Sequence, residues 1–113
     1  MRDLIDVVRD AALEKRGEDI TVIDVGGRTI LADTFVVVTG RSKIQTRAIA
    51  DAIVEAVEKE SQVAARVEGS ADGGWILIDA GNVIAHVFTP DQREFYNVER
   101  LWAEVAKRQA QGS

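Results

Sequence analysis

The sequence predicts a mixed α/β fold: one central sheet of about five strands flanked by helices. Three observations predict it. Helical and extended periodicities alternate along the chain in the order α-β-β-α-β-β-β-α. One extended run, Phe35-Val36-Val37-Val38, is apolar without interruption, as a strand covered on both faces requires. The 113 residues suit one core and exclude a two-lobed enzyme with a cleft between domains. A single domain is expected over residues 1–108, with residues 109–113 as a flexible tail.

Leu4, Ile5, Val8, Ala11 and Ala12 recur at helical spacing and stop before Gly17, which predicts a helix over about 2–16. Ile20 to Val25 is a β-branched run closed by Gly26-Gly27, a strand and a turn. Arg28 to Ala32 reads as loop. Thr34 to Thr39 is the buried strand, broken by Gly40. Ser42 then suits the N-cap of a long helix to about Ser61, with Ile49, Ala52, Ile53, Ala56 and Val57 as its buried stripe. The next strand, Ala65 to Glu68, follows a crossover helix, so the spacing predicts a βαβ unit with a parallel pair. After Gly69 to Gly74 come two strands, Trp75 to Asp79 and Asn82 to Thr89, joined through Ala80-Gly81. Pro90 stops the last strand and opens a helical end, in which Val98, Leu101, Trp102 and Val105 repeat on one face.

Composition narrows the function. The absence of cysteine excludes disulfides, thiolate metal sites and thiol nucleophiles. A net charge of −5 opposes unaided nucleic-acid binding, which needs a basic face, and favours a basic protein partner. Apolar runs are only a few residues long, so no membrane-spanning helix is expected. The start, Met1-Arg2-Asp3-Leu4, is unlike a signal peptide, and a soluble cytoplasmic domain is expected.

The terminal hairpin carries the most information. If Asp79 pairs with Asn82, Leu77 lies opposite Ile84 and Trp75 opposite His86. Alternation then gives Ile76, Ile78, Val83, Ala85 and Val87 one wholly aliphatic face, which belongs against the core helices. The other face carries Trp75, Leu77, Asp79, Asn82, Ile84, His86 and Phe88. Aromatics mixed with a few polar groups are the composition of a binding hot spot. The same face could instead be covered by the C-terminal helix, with Trp102 on Trp75, or be divided between helix and partner.

Catalytic patterns are weak. Gly40-Arg41-Ser42-Lys43-Ile44 begins like a nucleophile elbow but lacks the second glycine, and Ser42 is better read as a helix cap. His86 is the only histidine and has no companion ligands for zinc. No strand contains Asp-x-Asp or Asp-x-Glu, the spacing that points two carboxylates at one metal. Glu58 and Glu60 are two apart on a helix and diverge. Asp24, Asp33 and Asp79 lie on separate elements. Gly26-Gly27 lacks the rest of a dinucleotide fingerprint. Arg41, Lys43 and Arg47 at the start of the long helix form an anion site or, more simply, a solvated basic turn. An enzyme is disfavoured; the alternative kept open is a small nucleotidyltransferase-like phosphate-binding enzyme using Asp24, Asp33 or Asp79.

The same residues form an ordered pattern: Asp33-x-Phe35-Val36-Val37-x-Thr39-Gly40-x-Ser42, Ala48-Ile49-Ala50-Asp51, Val67-Glu68-Gly69, Trp75-x-x-x-Asp79, His86-x-Phe88 and Arg93-x-Phe95-Tyr96-x-x-Glu99-x-Leu101-Trp102. From about Asp19 to Trp102 the chain closely resembles the ribosomal silencing factor family, also called Iojap or RsfS. The resemblance implies a fold similar to nucleotidyltransferases without their metal-binding carboxylates, and no cofactor. It implies a cytoplasmic translational repressor that binds the large ribosomal subunit through its fourteenth protein. Binding there blocks joining of the small subunit in stationary phase or starvation. It also implies a homodimer as an available state; a third reading makes the Trp75 face a homodimer seam. The expected partner-binding residues are Trp75, Leu77, Asp79, Asn82, His86 and Tyr96. Trp75 and Tyr96 are expected to be apolar anchors, Asp79 an acceptor for Arg or Lys, and His86 either a support for Trp75 or a donor to the partner. The chain departs from the family at the hairpin turn: Ala80 and Asn82 stand where a bulky aromatic and an aspartate are common.

Overall fold

The structure, a computed structural model, describes residues 3–26 and 32–101. Helix α1 (Leu4–Glu14) starts where the Asp3 side chain accepts a hydrogen bond from Ile5 N, and buries Val7, Val8, Ala11 and Ala12. Strand β1 (Glu18–Asp24) pairs antiparallel with β2 (Thr34–Thr39), with an irregularity between Glu18 and Thr21. Helix α2 (Lys43–Glu60) is capped by Ser42, whose Oγ accepts from Gln45 N at 3.1 Å. Its buried residues are Thr46, Ile49, Ala50, Ile53 and Val57, while Ala52 and Ala56 are partly buried. Strands β3 (Arg66–Ser70), β4 (Trp75–Asp79) and β5 (Val83–Phe88) and helix α3 (Pro90–Tyr96) follow.

The five strands form one sheet in the order β1-β2-β5-β4-β3. This corrects the expected βαβ pairing. The parallel neighbour of β2 is β5, while β3 forms the far edge, antiparallel to β4. The reason lies in composition. Every residue of β5 is buried and every residue of β3 is exposed, so the apolar hairpin strand takes the inner position and the polar Arg66-Val67-Glu68-Gly69-Ser70 the rim.

The hairpin register also differs from the expectation. Trp75 pairs with Phe88, Leu77 with His86 and Asp79 with Ile84. The turn is Gly81-Asn82 rather than Ala80-Gly81, with Ala80 N donating to Val83 O at 2.9 Å. Gly81 has φ +88°, which a two-residue hairpin turn needs at its first central position. The partner shifts by two residues, and an even shift conserves the faces. Ile76, Ile78, Val83, Ala85 and Val87 accordingly join α1 and α2 in the main core.

Helix α3 stops at Asn97, whose φ of +45° is left-handed, and the chain turns helical again over 98–101. The continuous helical end is thus interrupted, because Asn97 caps both sides: its N–H donates to Arg93 O and its Oδ1 accepts from Arg100 N. Val98 is buried, whereas Leu101 is 56% exposed despite sharing the predicted apolar stripe. The first two residues, Gly27, most of the Arg28–Ala32 loop, Trp102, Val105 and the 109–113 tail lie outside the described residues.

Candidate docking surface

The second face of the sheet is divided. Toward β1, β2 and β5 it forms a small core in which Phe35, Val37, Ile84 and Phe88 pack with Val25, Ala32 and Val98. Toward β4 and β3, Trp75, Leu77 and Asp79 are half-buried, and all of β3 is exposed. Trp75 therefore straddles the boundary. Its indole stacks on buried Phe88 at 5.1 Å between centroids and meets Tyr96 of α3 at 4.5 Å. Tyr96 is itself 45% exposed.

His86 is placed beneath this pair. It is 4% exposed, and its Nδ1 accepts a hydrogen bond from Trp75 Nε1 at 3.2 Å. The imidazole meets Phe35 edge-to-face at 4.7 Å. An Nδ1 acceptor puts the proton of the neutral ring on Nε2, a buried atom without a hydrogen-bond partner. Burial pushes the His86 pKa down to about 4, so the ring is neutral at pH 7. Of the two roles considered for His86, the geometry contains support of Trp75; a buried ring offers no donor at the surface.

The polar members are fixed by the turn. Asp79 Oδ1 accepts from Gly81 N at 2.9 Å, which holds the carboxylate while its second oxygen remains. Asp79 faces Arg66 across the β3–β4 ladder. The Asn82 side chain is exposed, but its backbone carbonyl accepts from both Asp33 N and Thr34 N, so this residue also seats the start of β2. Leu77 sits opposite His86 and packs against the small core. Ala80 is buried in the main core, beyond reach of a partner.

Trp75, Leu77, Asp79 and Tyr96 are thus brought to one surface, with Asn82 at its turn and His86 underneath. Two residues escaped selection from the sequence. Arg93, with its side chain 13% exposed, bonds Glu99 Oε1 at 2.7 Å, Thr39 Oγ1 at 2.8 Å and Thr21 Oγ1 at 3.1 Å, pinning α3 to β1 and β2. Phe95 is 77% exposed and meets Tyr96 at 5.1 Å. The available signal was that α3 has two adjacent aromatics and no apolar residue three or four positions earlier to bury with them.

Among the described residues, no group of three or more histidine and carboxylate side chains is placed to hold a metal ion. Asp24 Oδ1 accepts a hydrogen bond from Gly26 N at 3.0 Å, and Asp33 Oδ1 also lies near Gly26. Asp79 stands on β4, separated from β1 by β2 and β5. Arg41 is engaged by Glu18 at 2.6 Å, within the basic turn before α2.

The family model for "Ribosomal silencing factor during starvation" matches residues 1–112. The chain is 34% identical to the ribosomal silencing factor RsfS of Bacillus subtilis over 104 residues, covering 92% of this chain and 88% of that one. It is 33% identical to the chloroplastic Iojap protein of Zea mays, covering 84% of this chain and 41% of the plant protein. A crystal structure of a Chromobacterium violaceum protein superposes with a TM-score of 0.83 at 34% identity, over 88% of this chain and 83% of that one. A Bacillus halodurans structure gives 0.77 at 33% identity, over 88% and 92%. With a matching family model over nearly its whole length and a shared fold, the chain belongs to the ribosomal silencing factor (RsfS) family.

Proposed function

We propose that this protein represses translation without catalysis. It occupies the large ribosomal subunit through its fourteenth protein, at the face that meets the small subunit, and so prevents joining during starvation or stationary phase. It acts in the compartment that holds the ribosomes. The observation that carries the reading is the half-open aromatic pair Trp75 and Tyr96, backed by a buried histidine and set in a chain of net charge −5. Rigid aromatics give contact area at small entropic cost, and the acidic surroundings suit a basic ribosomal protein. The name of the matched family supports the reading.

Co-sedimentation with separated subunits, followed by a subunit-joining assay, tests it. The protein is expected to travel with large subunits alone and to lower the yield of joined ribosomes. Tyr96→Ala should weaken binding by about 2 kcal/mol, the scale of a truncated anchor, while moving the melting temperature little, because nearly half of the side chain is already in water. Equal binding to small subunits, or undiminished joining at saturation, would refute it. A magnesium-dependent thermal shift with a nucleoside triphosphate, lost in Asp24→Asn or Asp33→Asn, two carboxylates that stand near Gly26, would favour the enzyme reading.

A further inference from the structure

We propose that the docking surface continues along α3, with Phe95 as a further aromatic anchor for a lysine- and arginine-bearing protein surface; this rests on the ribosome-binding reading above. A solitary exposed phenylalanine is ordinary. Three features set this one apart. First, it is continuous with the candidate surface: Phe95 meets Tyr96 at 5.1 Å and 87°, and Tyr96 meets Trp75 at 4.5 Å, so three rings run in a row from sheet to helix.

Second, its position does not derive from its own burial. None of the seven residues of α3 is buried, and the Ser/Thr-type cap at Thr89 makes no side-chain bond to the helix backbone. Such a short helix is not stable by propensity. It is held by the Arg93 bonds to Thr21 and Thr39 and by the Tyr96 ring, which packs on Trp75 and Phe88. Phe95, 77% exposed, is therefore presented on a backbone that other residues fix, and most of its contact area is gained only when something covers it.

Third, the charges near it select the occupant. Asp91 and Glu94 are exposed on the same helix, Glu68 is exposed opposite Leu77, and Asp72 is exposed in the turn before Trp75. Aromatic faces beside carboxylates accept guanidinium and ammonium groups together with their aliphatic stems. These acids, in a chain of net charge −5, disfavour phosphates and so favour a protein occupant over RNA.

The test measures binding of the full chain to purified large subunits, with melting temperature read in parallel. Phe95→Ala is expected to weaken binding about tenfold or more with an unchanged melting temperature, as loss of an interface anchor does. Phe95→Glu should weaken it too by losing the ring, and Phe95→Tyr should restore it. Should Phe95→Ala melt early, Phe95→Tyr with intact binding beside Phe95→Gln with lost binding and a native melting temperature still supports the proposal. Tyr96→Ala separates the two levels. If Tyr96→Ala weakens binding and the Phe95 variants stay within twofold of the parent, the extension is overturned and the ribosome reading stands. If the parent chain fails to bind large subunits, the reading falls and the extension with it. Equal affinity for protein-free ribosomal RNA would overturn the proposal as well.

Discussion

His86 shows how a single polar side chain can serve a surface it never reaches. Its Nδ1 fixes the Trp75 indole, and its burial keeps the ring neutral. The sign of the linkage follows. In the unfolded chain the imidazole takes a proton below about 6.5; in the folded chain it does so only below about 4. The unfolded state thus binds more protons in that interval, so the stability is fully present above pH 6.5 and is lost as pH falls toward 4. Between pH 7 and pH 5 the loss amounts to roughly 2 kcal/mol. Chemical denaturation at both pH values should show that loss in the parent chain and a clearly smaller one in His86→Gln. An equal loss in both would mean that other groups titrate there. At the same scale, Asp79 and Asn82 order the turn, the first by accepting from Gly81 N and the second by accepting from Asp33 N and Thr34 N.

At the scale of elements, the junction of β2 and α2 is the most constrained. A Cβ at Gly40 would sit 2.8 Å from both the backbone N and the Cα of Thr46, so the helix start presses directly on the strand end. Ser42 and Thr46 secure the same turn, the latter donating from Oγ1 to Ser42 O at 2.7 Å. Two substitutions should separate packing from capping. Ser42→Ala is expected to cost about 1 kcal/mol. Gly40→Ala is expected to cost about 2–3 kcal/mol, because the clash is with backbone rather than with a mobile side chain. Urea titrations of the two variants check the order, and a milder Gly40→Ala would show that the junction can relax. Helix α3 is the opposite case, an element with no buried residue, tied to the sheet by the Arg93 bonds and the Tyr96 ring.

Across the whole molecule, the sheet has a stability gradient built in. Strands β2 and β5 are central, paired on both sides and buried, while β1 is irregularly paired and β3 is exposed along its length. Amide hydrogen exchange should therefore be slowest in 35–38 and 84–87 and fastest, among the strands, in 66–70. Slow exchange at 66–70 in dilute solution would instead indicate that a second copy or another partner covers that edge. The candidate surface lies at the border between the firm centre and the open rim. There a buried half gives Trp75 a rigid seat and an open half leaves it area to contribute on binding.

Element order and the two faces of the terminal hairpin were legible in the chain alone, as were Trp75 and Tyr96 as candidate residues. Each follows from local periodicity or from one residue's chemistry. The hairpin faces survived a wrong register because side chains in a strand repeat every two residues and the error was even. Strand neighbours were not legible. Whether β3 or β5 lies beside β2 depends on competition for the buried centre of the sheet, a contest among segments far apart in the chain. Exposure was not legible either: His86, Trp75 and Phe95 are all aromatic and fall in the one stretch 75–95. Only the tertiary packing put the first under the surface, the second across its edge and the third out in water. The Arg93 clamp belongs to the same class, since its partners Thr21 and Thr39 lie 72 and 54 residues away and no local pattern can announce them.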